Sequence, residues 1–356
     1  MARPPFLEAC DARTCLDEIL ELFDRDGRPQ TREWLEWYYN QCGDVPINSW
    51  VLRCPDDGHL SGLCSVVPRN FRFRNGLVRV GVAGNLVTEA VGATRAIGAI
   101  ALLRSAQSLV VRQQLDILLG IPNLGPPMEL SVRIGFHTIG RWMTYGEVFR
   151  SRDPLLGRGR GSVLLSPFVD FAAAIRRRLW SRAMRSAADL TLVEITYDRV
   201  DLLPSKNWPS LDDHFCVEFS PEMVKWRFLE EPRVGYSLMA VIDQRNNTVC
   251  GYFVIDSLHG RMLVCHCETD SATLPQLKAI LGLCRGSKRY GGMFCVTTLQ
   301  GSALSKTLAE SGLMLLPPRF GGSTLSLTGF WRDDHPLAAE FATPARWNVF
   351  MGFNDV

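Results

Sequence analysis

The chain has 356 residues, which at a prior of ~150 per domain means two domains or one unusually large one and excludes a single small module. Its 39 basic and 37 acidic residues leave a formal charge of +2, which argues against a bulk nucleic-acid binder with its clustered basic excess. A core of this size needs no metal or disulfide staple. The 11 cysteines are odd in number and contain no CxxC pair, so they read as reduced, mostly buried thiols of a cytoplasmic protein. The opening MARPPFLEACDARTC lacks the apolar stretch of a signal peptide, and no window reaches the ~18 uninterrupted apolar residues of a membrane span.

Leu16 to Phe23 has apolar residues at helical spacing, and Thr31 caps a second helix through Tyr39. Trp50 to Cys54 and Leu60 to Val67 flank Pro55-Asp-Asp-Gly58, whose glycine supplies a positive φ, so the pair is predicted to be a β-hairpin. Phe71 to Ala83 repeats the device around Asn75-Gly76, giving four antiparallel strands in a row. A strand ending near Thr88 leads into the small-residue loop Glu89 to Gly98 and a helix from Ala99 to Arg112. Leu115 to Ile121 is the next strand, Pro122 to Pro127 a turn cluster, and Met128 to Ile134 a short helix with Gly135 as its C-cap. Phe136 to Phe149 closes the first half as two strands.

Residues 151–188 break the pattern with Leu156-Gly-Arg-Gly-Arg-Gly161 and a basic amphipathic helix carrying Arg176, Arg177, Arg178, Arg182 and Arg185. We read this stretch as a linker whose arginines are solvated. Contact with an anionic membrane face stays open, because polybasic amphipathic helices lie on such faces. Beyond it the pattern returns at an offset of 189 residues, with Trp226 answering Trp37. That offset places Val51-Leu52 on Ala240-Val241, the turn Gly58 on Asn247, and Gly62 on Gly251. A residue able to take positive φ stands at the same place in both halves. The reading is of two copies of one module, over 1–150 and 189–356.

Arg95-Ala-Ile-Gly98-Ala99, between a strand and a helix, has the form of a pyrophosphate cradle: a small-residue turn whose N–H groups face an anion. The Rossmann and P-loop patterns are both missing. With the order of elements, these residues resemble the GNAT (Gcn5-related N-acetyltransferase) superfamily, specifically its tandem-domain members. Arg95, Gly98 and Ala99 fall on the loop Arg/Gln-x-x-Gly-x-Gly/Ala, with Ile100 departing at the last position. Asn123 matches the asparagine after the fifth strand and Gly135-Phe136 the Gly-Phe closing the fourth helix. Trp347 to Asp355 is similar to the tandem members' ending, with Phe353 where an Asp is expected.

The resemblance implies an α/β (α+β) fold: two tandem GNAT-like modules, each a mostly antiparallel twisted sheet flanked by helices and splayed between its fourth and fifth strands. It implies acetyl-CoA or another acyl-CoA as cosubstrate. Leu86, Val87 and Thr88 would offer backbone hydrogen bonds to the pantetheine arm, and Arg95, Ala96, Ile97, Gly98, Ala99 and Ile100 would hold the pyrophosphate, with Asn123 nearby. The family's acid is commonly a tyrosine four residues before Gly-Phe; here that position is Ser131, a far poorer donor to a thiolate than a phenol of pKa near 10. Tyr145 or Tyr38 is a substitute, and Glu89 the best-placed base.

In the second copy Thr269 to Pro275 has no glycine where the cradle belongs, so that copy is read as degenerate. Cys265-His266-Cys267 invites a zinc reading, but alternation on a strand sends His266 to the opposite face, and we expect no metal. No GxSxG elbow supports Ser/His/Asp catalysis. The expected function is transfer of an acyl group, acetyl first, to a primary amine of a small molecule or amino sugar. One alternative is a long-chain N-acyltransferase fed by acyl carrier protein, with Arg104, Arg112 and the linker arginines meeting the acidic carrier. The other is a non-catalytic binding or scaffold protein on the same fold.

Overall fold

The computed structural model describes residues 6–40, 46–74, 76–89, 93–148, 171, 190–203, 213–233, 235–256, 261–269, 293–310, 313–317 and 323–349. Along the chain run β1 (Phe6–Cys10), α1 (Leu16–Arg25), α2 (Arg32–Tyr39), β2 (Asn48–Arg53), β3 (Leu60–Phe73), β4 (Gly76–Thr88), α3 (Ala93–Val111), β5 (Ile117–Gly120), α4 (Pro126–Arg133) and β6 (His137–Val148). The order continues with β7 (Leu190–Ile195), β8 (Phe215–Val217), α5 (Pro221–Val224), a π-helical turn (Lys225–Leu229), β9 (Tyr236–Asp243), β10 (Thr248–Asp256) and β11 (Arg261–Thr269). It ends with β12 (Met293–Leu299), α6 (Ala303–Glu310), β13 (Met314–Leu316), β14 (Ser326–Phe330), α7 (Ala338–Phe341) and β15 (Trp347–Asn348).

These elements form two compact units. The first holds Met1–Arg141 and Thr324–Arg346, the second Trp142–Ser323 and Trp347–Asp355. The units therefore divide the chain at Arg141/Trp142, and residues 324–346 return to the first; the linker stretch 151–188 lies, Phe171 apart, outside the described residues. In the first unit the strand order is β1-β2-β3-β4-β5-β14-β6, and in the second β7-β9-β10-β11-β12-β6-β13. The two orders match strand for strand. In each, the fourth and fifth strands pair in parallel and every other pair along the sheet is antiparallel. Each sheet also takes its sixth-placed strand from the other half of the sequence: β14 enters between β5 and β6, and residues 142–148 of β6 enter between β12 and β13.

The hairpins β2–β3 and β9–β10 share one register. Leu52 faces Gly62 and Val51 faces Leu63; 189 residues on, Val241 faces Gly251 and Ala240 faces Tyr252. Both ladders slip by one residue just after the turn, at Ser61 and at Cys250, and the turn residues Gly58 and Asn247 take φ of 76° and 50°.

The first unit's core lies on both sides of its sheet. Ile19, Leu22 and Phe23 of α1 with Trp34, Leu35 and Tyr38 of α2 cover Val51, Leu63 and Val67. Thr31 caps α2 as its spacing predicts, its hydroxyl accepting from the Trp34 N–H at 3.2 Å. Leu102, Leu103, Ala106 and Leu109 of α3 pack with Cys64, Val66 and Leu118.

Three expectations change and one strand is added. Residues 60–73 form one strand, not two; Pro68 stands beyond the part of β3 paired with β2, which ends at Val66, so its missing N–H costs that ladder nothing. Residues 137–148 are likewise one strand. The added strand is the N-terminal β1, antiparallel to β2. Finally, α3 begins at Ala93, six residues before the expected start. Ala93 to Gly98, read as loop, are helix, and Gly98 is where α3 approaches the sheet: a Cβ there would lie 3.0 Å from Leu52 Cδ1.

Candidate functional site

The parallel ladder between β4 and β5 joins only Val80–Val82 to Ile117–Leu119, while β4 runs on to Thr88. On that free stretch Asn85 and Leu86 stand opposite Cys64 alone, and Asn85 takes a φ of 50°. Such a bulge takes a residue out of the ladder and releases its backbone groups to other partners. The Leu86 carbonyl accepts from Arg28 Nη2 at 3.3 Å.

A cleft of about 760 Å³ lies here, within the first unit. Leu86 and Thr88 of β4 line it, with Arg95, Ala96 and Ala99 from the first turns of α3. Asn123 and the α4 residues Pro126, Pro127, Glu129, Leu130 and Arg133 complete the wall, and Asp26 and Arg28 come from the cap of α1 and the turn just beyond it. Asn123 is held in place where the chain bridges to Leu325 and the Leu124 N–H donates to the Thr324 carbonyl at 2.9 Å.

Asp26, whose side chain is only 8% exposed, joins two arginines. It lies 2.5 Å from Arg28 Nε and 2.9 Å from Arg95 Nη2. With Arg133, the cleft carries three guanidinium groups against the carboxylates of Asp26 and Glu129. The first turn of α3 adds N–H groups that lack intrahelical partners and carry partial positive charge. The site is thus suited to an anion.

Not every expected binding residue faces the cleft. Leu86, Thr88, Arg95, Ala96, Ala99 and Asn123 do. Val87 points into the core, 1% exposed; Gly98 packs on the sheet; Ile100 packs against the core of α3; and Ile97 is 64% exposed. The loop reading assumed that consecutive residues share a face, but on a helix they are spread by about 100° each. Sequence reasoning missed Asp26, Arg28 and Arg133. The first two come from an element 58 positions from the carbonyl that Arg28 binds, and no local pattern carries that pairing.

The expected catalytic residues are dispersed. Ser131 is buried, and its hydroxyl donates to the Pro127 carbonyl at 3.0 Å inside α4. Tyr145 packs in the second unit against a core containing Met239, Phe253, Val296 and Leu308. Tyr38 is fully buried, and burial pushes its phenol well above the ordinary value. Glu89 follows Thr88 and accepts from Arg25 Nε at 2.9 Å and pairs with His59 Nε2 at 3.1 Å. His59 Nδ1 in turn lies 2.5 Å from Asp57, and that carboxylate, with Glu89 second, raises the imidazole pKa. The side chains of Cys265, His266 and Cys267, the loop after Thr269 and the C-terminal 350–356 lie outside the described residues.

Comparison by sequence finds no match among protein-family models or among curated proteins. Comparison of the structure does. A protein of Enterococcus faecalis V583 described as a probable N-acyltransferase aligns at 10% identity and TM-score 0.60, over 92% of this chain and 72% of its own. Saccharomyces cerevisiae N-myristoyltransferase with bound myristoyl-CoA aligns at 12% identity and TM-score 0.57, over 91% and 78%. A GCN5-related N-acetyltransferase from Anabaena variabilis aligns at 10% identity and TM-score 0.58, over 91% and 72%. The chain thus shares a mixed α/β fold, a mostly antiparallel sheet flanked by helices, with a GCN5-related N-acetyltransferase and with N-myristoyltransferase.

Proposed function

We propose that this chain is an N-acyltransferase that takes an acyl group from an acyl-CoA thioester to the primary amine of a small molecule or amino sugar, with acetyl-CoA the first donor to test. The observation that carries the reading is the cleft at the open end of β4, where the N-terminal turn of α3 and Arg28, Arg95 and Arg133 surround one space. Those groups fit a pyrophosphate: guanidinium groups and helix N–H groups both favour phosphate oxygens. The small side chains of Ala96 and Ala99 keep the α3 backbone within reach. The Leu86 bulge offers backbone groups to an amide-bearing arm lying along β4. In the reaction the amine nitrogen bonds to the thioester carbonyl carbon, the C–S bond breaks, and the proton lost by the amine balances the one gained by the departing thiolate. Holding the two reactants together in a near-attack geometry is the protein's chief contribution.

Proteins of this fold named for acetyl and for myristoyl transfer both align with the chain, so acyl length is a property to measure. Isothermal titration calorimetry with CoA and acetyl-CoA tests the reading. Binding by the wild type and its loss in Ala99→Trp, with Arg95→Glu weakened about tenfold or more by charge reversal, supports it. Absence of binding to either compound overturns it. Binding of acylated carrier protein but not of CoA favours the carrier-dependent alternative.

A further inference from the structure

The turn of the first hairpin gathers three side chains of metal-ligating type. Cys54 ends β2's side of the turn, Asp57 and His59 follow, and one ligand atom from each lies within 4.8 Å of the other two. The backbone holds them together: the Cys54 N–H donates to the His59 carbonyl at 2.8 Å, and the Gly58 N–H to the Cys54 carbonyl at 2.9 Å. Asp57 Oδ1 accepts from the His59 backbone N–H at 3.2 Å. The far side of the imidazole is also fixed, because Nε2 meets Glu89, and Glu89 is anchored by Arg25.

The matching hairpin shows that none of this is needed to close the turn. Shifted by 189 residues, Cys54, Asp57 and His59 become Asp243, Asn246 and Thr248, yet the register, the one-residue slip and the positive φ are all kept. There Asp243 accepts from the Arg245 N–H at 2.9 Å and from Asn246 Nδ2 at 3.5 Å. The three ligand types of the first hairpin thus exceed what folding asks for.

We propose that Cys54, Asp57 and His59 form a binding site for a borderline-soft divalent cation, zinc being the fitting class, with His59 ligating through Nδ1 and Glu89 acting as its positioning residue. Thiolate, imidazole and carboxylate together suit zinc rather than magnesium or calcium. Bond lengths of 2.0–2.3 Å set ligand atoms roughly 3.2–3.8 Å apart around a tetrahedral ion. The present spread therefore closes by about 1 Å, and the 2.5 Å approach of His59 Nδ1 to Asp57 opens by a similar amount. On binding, the Cys54 thiol and, where the imidazole is protonated, His59 Nδ1 each give a proton to solvent, and Nδ1 then supplies its lone pair. Nε2 keeps its proton and donates it to Glu89, the carboxylate–histidine–metal arrangement that fixes the ring. Asp57 and His59 are solvent-accessible, with side chains 64% and 38% exposed, so the fourth position is open to water.

Cobalt(II) titration of the full, reduced chain tests this. The expected result is one equivalent bound, with a thiolate-to-cobalt charge-transfer band and visible d–d bands, both displaced by zinc. The band is expected to vanish in Cys54→Ser, and affinity to fall about 10- to 100-fold in Glu89→Gln. Should Cys54→Ser fail to fold, His59→Gln serves the same purpose, with circular dichroism checking the fold. A band that survives in Cys54→Ser or His59→Gln places the metal on other cysteines and overturns the proposal, as does a wild type that shows no band at excess cobalt.

Discussion

The hairpins β2–β3 and β9–β10 are the same object built twice, and they differ in what the turn carries. One has Cys54, Asp57 and His59 at positions where the other has Asp243, Asn246 and Thr248. Backbone geometry is indifferent to the change: pairing, slip and positive φ persist. The comparison separates what a turn must have, a residue tolerant of positive φ and a stretch of alternating strand on each side, from what has been added to it. The units repeat the lesson. Their strand orders agree, and each completes its sheet with a strand from the other half of the sequence.

That exchange gives the largest expected effect. A chain cut after residue 150 keeps β1 to β6 but loses β14, leaving β5 and β6 with no strand between them. We expect no cooperative thermal transition from this fragment, and the same from 151–356, which lacks residues 142–148 between β12 and β13. A mixture of the two fragments should regain the transition. Calorimetry of each alone and together checks it, and a fragment that unfolds cooperatively by itself would show that the exchanged strand is dispensable.

Next in size is the loss of a core anchor. Trp34 is 2% exposed, with Phe23 and Tyr38 at ring-centroid distances of 6.5 and 5.2 Å. Trp347 is fully buried, with Phe215 at 4.6 Å. Replacing either by alanine should cost about 3–5 kcal/mol, read from denaturant midpoints at unchanged slope. If the units unfold together through the exchanged strands, both variants give one transition shifted down. If they unfold separately, each variant moves only its own.

How much of this was legible follows from the range over which each signal acts. The hairpin turns and the 189-residue offset were readable because Gly58 and Asn247 answer a purely local demand for positive φ. The cap at Thr31 and the end of α4 at Gly135, with φ of 99°, were readable for the same reason. The start of α3 was not, because Gly98 looks like a loop residue until Leu52 is seen against it. The exchange of β14 and the end of β6 had no local signal: alternation marks a strand without naming its neighbour. In the cleft, Arg95 and the small residues after it stood out as a turn beside a helix. Asp26 and Arg28 did not, since what recruits them is the charge of Arg95 and the free carbonyl of Leu86.

Smaller effects test the turns themselves. Gly58→Ala forces a side chain into the left-handed region, which costs about 1–2 kcal/mol. Asn247→Gly removes that constraint where the chain already tolerates it, and should change stability by no more than about 0.5 kcal/mol, since asparagine is among the residues that accept this conformation. Thermal midpoints of the pair measure the asymmetry. Equal and opposite shifts would contradict it.

The last variant should leave stability within experimental scatter and change only chemistry. Asp243→Cys, Asn246→Asp and Thr248→His together transplant the first hairpin's side chains onto the second at matching positions of an identical register. If the backbone of this turn suffices to bring the three ligands together, the cobalt stoichiometry rises from one to two per chain. Glu89, anchored by Arg25, backs the imidazole of the first hairpin alone, so adding Glu89→Gln to this variant should weaken the first equivalent about 10- to 100-fold and leave the transplanted one as it was. A first equivalent whose affinity Glu89→Gln leaves unchanged would mean that Glu89 contributes nothing to holding His59. A stoichiometry that stays at one would mean that the first hairpin relies on more than its register, and Glu89 with Arg25 behind it is then the feature that sets the first turn apart.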